Sequence, residues 1–166
     1  MHFQRGFSLL ELIIYIGITI MIVATLAEMT VVMLRVRERN IVRQEVEQNL
    51  RFVMSRLETA LTQATAIVGT PGSTLELTIG GVSTTFSLVS GVLKIDEGGG
   101  AGAIALTTDK VTVSALGGGN MFTKVSNPSP AKDSVQIKIK IDYVAGSKTS
   151  LTASASAQTT VELRQI

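Results

Sequence analysis

Two carboxylates stand where carboxylates are costly. Glu11 and Glu28 interrupt residues 7–34, FSLLELIIYIGITIMIVATLAEMTVVML, a run of 28 residues that holds no Lys, Arg or Pro. On insertion scales a charge near the centre of a bilayer costs about 2.5–3.5 kcal/mol, and such a residue usually serves a function. The chemistry open to it is pairing. A cation ~4 Å away at an effective dielectric near ~20 supplies an attraction of about 4 kcal/mol. An acid left alone there is penalised. Glu28 lies nearer the end of the run, where the cost falls, and reads as a helix-docking contact, with Thr19, Thr25 and Thr30 as further polar groups for helix–helix contact.

Little else in the chain can do chemistry. There is no cysteine, which excludes disulfides, thiol nucleophiles and thiolate metal sites, and the one histidine is His2. Gly98-Gly99-Gly100-Ala101-Gly102 and Gly117-Gly118-Gly119-Asn120 lack Gly-Lys-Ser/Thr and open no helix, so they read as flexible loops and not phosphate cradles. Asp96, Glu97 and Asp109 lack the alternating acid spacing of a calcium loop and read as solvated loop acids. The expectation is a non-enzyme with no cofactor and no metal. A net charge of +2 with 4% aromatic residues argues against nucleic acid as a partner.

The elements that must position the two acids follow from hydropathy. About 20 apolar residues as a helix cross a hydrocarbon core of about 30 Å, so residues 7–34 span it with length to spare. In lipid the backbone must satisfy itself, which selects helix despite the many β-branched side chains. The run is too long for a cleaved secretory signal, and no A-x-A-like site closes it. Over 35–68 the pattern turns amphipathic, with Val46, Leu50, Val53, Leu57, Leu61, Ala64 and Val68 at steps of three and four. Gly69 and Pro71 are expected to end the helix. The two stretches together predict one helix of about 60 residues and roughly 90 Å, more than the remaining chain can cover. Its uncovered half must sit in a membrane or among other subunits.

Beyond Pro71 the period changes to two. Leu75, Leu77 and Ile79, then Phe86 and Leu88, then Leu93 and Ile95 are separated by turns at Gly80-Gly81 and Ser90-Gly91. Val111, Val113 and Ala115 form another strand. Val135, Ile137, Ile139, Ile141 and Tyr143 form a half-buried one with Lys138, Lys140 and Asp142 outward. Gly146-Ser147 turns into a last strand with Leu151, Ala153, Ala155, Ala157, Thr159, Val161 and Leu163 inward. Its small alanines would let the helix approach closely. The predicted class is α+β, a long N-terminal helix packed on a C-terminal antiparallel sheet.

The stretch Gln4-Arg5-Gly6-Phe7-Ser8-Leu9-Leu10-Glu11 closely resembles the class III signal of type IV prepilins and pseudopilins. The resemblance implies that a prepilin peptidase cuts after Gly6 and methylates the new N-terminus on Phe7. It implies that Glu11 pairs with the Phe7 amine of a neighbouring subunit. It divides the chain into a leader (1–6), a transmembrane and filament-core helix (7–34), its amphipathic continuation (35–68) and a globular β domain (69–166), the type IV pilin fold. The implied partners are other pilin subunits, the peptidase and an inner-membrane assembly platform. The implied location is the inner membrane as a single-pass precursor, then a cell-surface or periplasmic filament. Loss of the leader would remove His2, the last imidazole, and leave 14 of the 15 basic groups against 13 acidic ones. Arg35, Arg37, Arg39 and Arg43 against Arg5 alone would place the C-terminal side in the cytoplasm by the positive-inside rule, whereas the cleavage signal places the leader there. Many major pilins have proline where Glu28 stands, and many close a C-terminal disulfide. This chain has neither feature, which points to a minor subunit. Alternatives are a minor pseudopilin of a type II secretion or DNA-uptake machine and, in another class, a membrane-anchored binding or adhesion module.

Overall fold

A computed structural model describes residues 8–100, 102–125, 133–144 and 151–163. Its first element, α1, runs Leu9–Gln63. The chain divides into two compact units, Met1–Asn40 and Ile41–Ile166.

In the first unit every described side chain is exposed, including Leu9, Ile13, Ile16, Met21, Leu26 and Leu34. The backbone of this stretch is satisfied internally, beginning with the Leu12 amide on the Ser8 carbonyl at 3.2 Å. An 18-residue window within α1 has mean hydropathy 2.4 and no buried side chain, so the helix is long and apolar enough to cross a bilayer.

The second unit has its own core. Val42, Val46, Asn49, Val53, Leu57, Ala60 and Leu61 form the buried stripe of α1, at the three- and four-residue steps that return a helix to one face. Val46, Val53, Leu57, Ala60 and Leu61 of this stripe pack with Leu75, Leu77, Phe86, Leu93, Ile95, Phe122, Val135, Ile137, Ile139 and Ile141 from the strands. The strands form two sheets where one was expected. The first is a meander in the order β1 (Ala66–Val68), β2 (Thr74–Ile79), β3 (Val82–Val89), β4 (Val92–Asp96), β5 (Ile104–Ala105), antiparallel throughout. Gly80 and Gly81 have φ of 58° and 82°, and Ser90 and Gly91 of 50° and 79°. Two positive φ values in a two-residue loop match the twist of the flanking strands.

The second sheet is built on β8 (Ser134–Tyr143), whose buried and partly exposed residues alternate as the sequence period required. β9 (Ser154–Glu162) pairs with β8 along its length. β6 (Val111–Ala115) pairs with 139–143 of β8, and β7 (Phe122–Val125) with 134–137. A strand has two edges and β9 takes one, so β6 and β7 share the other end to end. A 3-10 turn at Leu116–Gly118 makes the step between them. The sheets are joined by backbone bonds from Val113 N to Gly91 O at 2.7 Å and from Phe122 N to Gly72 O at 2.9 Å.

Two expectations change. The helix stops at Gln63 and not at Val68, and Ala66–Val68 is strand β1. The Thr65 amide and hydroxyl both donate to Thr78 O, at 2.8 and 3.0 Å, so pairing with β2 competes successfully with another helical turn. β-branched Thr65, Ile67 and Val68 suit the strand. Gly69 (φ 70°) therefore turns out of a strand and does not cap the helix. The glycine-rich loop is also more than slack chain. At Gly98 (φ 70°) a Cβ would lie 2.4 Å from Ser83 O, so only glycine fits. The turn expected at Gly146-Ser147 lies outside the described residues.

Candidate functional site

The first turns of α1 position the candidate site. Gly6 and Phe7, the expected cleavage and methylation residues, lie outside the described residues. Glu11 sits in the first turn of α1, where a carboxylate complements the exposed amides and positive dipole end. It is exposed, as is Glu28. Seventeen residues of helix separate the two acids by roughly 25 Å along the axis and about 100° around it. The fold does not bring them together, and each must find its own partner.

The threonines of the same run are already occupied. Thr19 donates its hydroxyl to Tyr15 O at 2.7 Å, and Thr30 donates to Leu26 O at 2.8 Å. Thr25 donates to Met21 O and Ile22 O at 3.1 and 2.8 Å. These bonds hide the hydroxyl protons from an apolar medium. The threonine hydroxyl protons therefore need no outside acceptor. The acids are the charged groups inside the run.

Arg35 follows Glu28 by seven residues, which places both on one face of α1. Charge counting alone marks Arg35 as an orientation signal. The seven-residue interval is the sequence feature that shows its second relation.

In the second unit two of the three acids considered for a cation, Asp96 and Glu97, are otherwise engaged. Asp96 Oδ1 accepts the Gly98 amide at 3.0 Å, and Glu97 pairs with Arg56 of α1. Among the described residues no three His, Cys, Asp or Glu side chains cluster to hold a metal. A groove between Arg43, Val46 and Glu47 of α1 and residues 152–155 at the start of β9 lies where the small alanines were expected to admit the helix. The most connected polar group is structural. Asn49, 7% exposed, accepts the Thr108 amide at 3.2 Å and donates to Glu45 O at 2.8 Å. Thr108 Oγ1 in turn donates to Glu45 Oε1 at 3.1 Å. This triad ties α1 to the 106–110 loop. The chain matches no family model, no curated protein and no solved structure.

Proposed function

We infer that the chain is a structural subunit of a type IV pilus-like filament, made as a precursor, cut after Gly6 and methylated at Phe7. The observation that carries this reading is an apolar helix exposed on every side, with an acid in its first turn four residues after Phe7. A helix that is apolar all round needs lipid or other helices as its surroundings. Cleavage would create an amine at Phe7, and Glu11 of an adjacent subunit is the anion to meet it. That pair turns an expensive acid into a register mark. Glu28 in the place of a helix-bending proline, with no cysteine, favours a minor subunit of a pilus or of a related secretion or DNA-uptake filament. The precursor would span the inner membrane once, with the leader inside, and would pass from there into the filament through an assembly platform.

Mass spectrometry of chain made beside a prepilin peptidase tests the reading. Mature protein should begin at N-methylated Phe7, and Gly6→Ala should leave the leader attached. An intact N-terminus on the unsubstituted chain overturns the assignment. Glu11→Ala should insert and be processed normally yet be lost from sheared filaments. Normal incorporation would remove the pairing role.

A further inference from the structure

Arg35, Arg37 and Arg39 follow directly on the apolar run that ends at Leu34. All three belong to α1 and are exposed. Residues 35–39 hold one acid, Glu38, so the excess charge there is positive. Each residue turns a helix by about 100°. Arg39 therefore stands about 40° from Arg35, and Arg37 about 160° from both. The charge faces opposite sides of the helix. An acidic protein would dock on one side, whereas a bilayer meets every side at once. Ion pairs inside the second unit engage Arg51, Arg56, Lys124 and Lys140, and these three arginines lie outside that unit.

Tyr15 marks the other surface. It is the one aromatic residue in 8–34, and it is exposed. It precedes Arg35 by about 20 residues, roughly 30 Å along α1. That length is about the thickness of a hydrocarbon core. Tyrosine rings settle at headgroup level. An arginine stem can lie along apolar surface while its guanidinium stays among the headgroups. With Tyr15 at one boundary and Arg35 at the other, residues 16–34 fill the hydrocarbon.

We propose that Arg35, Arg37 and Arg39 bind the phosphates of anionic lipids and, with Tyr15 at the opposite surface, fix the depth of α1 in the bilayer. A guanidinium meets a phosphate through paired N–H donors. Attraction to an anionic surface is worth about fivefold in binding for each basic residue near it. The proposal rests on the membrane-spanning part of the proposed function, and on neither cleavage nor filament assembly. It also removes the conflict over orientation. A bilayer with anionic lipid in both leaflets holds the collar from either side. The arginines then set depth and leave sidedness to the leader.

The full-length chain, placed in nanodiscs of equal phosphatidylglycerol and phosphatidylcholine, gives the test. Lipid retained on release is read by native mass spectrometry. At low salt, phosphatidylglycerol should be retained about tenfold or more over phosphatidylcholine, and about 1 M salt should shrink the preference. Arg35→Gln, Arg37→Gln and Arg39→Gln together should bring the two lipids to within about twofold. Arg51→Gln, Lys94→Gln and Lys138→Gln remove as much charge from the second unit and should keep the preference. Equal retention by the unsubstituted chain, a preference that survives the first variant, or its loss in both variants overturns the collar. Excess inorganic phosphate, against chloride at equal ionic strength, should leave the lipid in place. Displacement by phosphate identifies a free-anion site and overturns the lipid assignment. The natural absence of cysteine lets a polarity-sensitive dye be placed singly on Val36→Cys or Thr25→Cys. The first should read headgroup and the second hydrocarbon, and like readings overturn the depth. Leader removal, read by mass in the same samples, reports separately on the filament reading. Uncut chain that prefers phosphatidylglycerol keeps the collar and discards the pilin assignment. Cut and methylated chain without the preference does the reverse. Chain recovered in the soluble fraction without detergent overturns the span and the collar together.

Discussion

Asn49 is a buried amide on the apolar face of α1, and its burial is tolerated because its polar atoms are met by Glu45 and Thr108. Removing it leaves the Thr108 amide without its acceptor. Asn49→Ala should lower the unfolding free energy by about 0.5–1.5 kcal/mol, the net worth of a lost hydrogen bond, measured by urea titration. Asn49→Leu should do no better, since the loss lies at Thr108 and not in side-chain volume. Gly98→Ala combines a left-handed φ with a clash on Ser83 O and should cost about 1–3 kcal/mol in the same assay. Gly99→Ala, where the space is open and φ is not left-handed, should be close to neutral. The contrast shows what a glycine-rich loop hides in sequence. Five small residues look equivalent until a neighbouring strand decides which one is pressed against backbone.

Among the elements, the long helix and the hairpins were legible, and short pieces were not. The apolar run, the stripe from Val46 to Ala64, and the turns at Gly80-Gly81 and Ser90-Gly91 each rest on a local rule, and the structure places all of them. β1, β5 and β7, of three, two and four residues, exist because a longer strand supplies their bonds, so no periodicity could announce them. The same cause moved the end of α1. Nothing local stops the helix at Gln63, and it is Thr78 that captures Thr65. Leu57, fully buried between α1 and the sheets, should be the most sensitive kind of position. Leu57→Ala should lose about 2–5 kcal/mol. Phe52→Ala, on an exposed part of the same helix, should change stability by less than about 0.5 kcal/mol. Chemical denaturation of the two variants side by side checks the assignment of faces.

For the molecule as a whole, one unit contains a complete core and the other contains none. Residues 41–166 bury Val53, Leu57, Phe86, Phe122 and Ile139 among themselves, while residues 8–40 have no buried side chain. A chain cut to 41–166 should therefore unfold cooperatively in water without detergent. The full chain should sediment with membranes and require detergent to leave them. A cut chain that failed to fold would show that the core depends on the apolar run. The candidate site was legible for a related reason. Glu11 is conspicuous because Leu9, Leu10, Leu12, Ile13 and Ile14 beside it are all apolar, whereas the relation of Glu28 to Arg35 appears only once a continuous helix gives seven residues a direction. Under the proposed function Gly6 and Phe7 would carry a covalent event, which needs no packing in the folded chain to express it.

The outermost strand of the second sheet has a consequence for exchange with solvent. Tyr143 N donates to Ala153 O and Leu163 N to Asp133 O, each at 2.9 Å, which fixes the odd residues of β9 as those bonded to β8. Ser154, Ser156, Gln158, Thr160 and Glu162 turn their amides outward. In deuterated water their protons should be lost quickly, and those of Ala155, Ala157, Thr159 and Val161 slowly, an alternating record along nine residues. If assembly lays another chain along this edge, the fast half of the alternation will vanish and leave the slow half as it was.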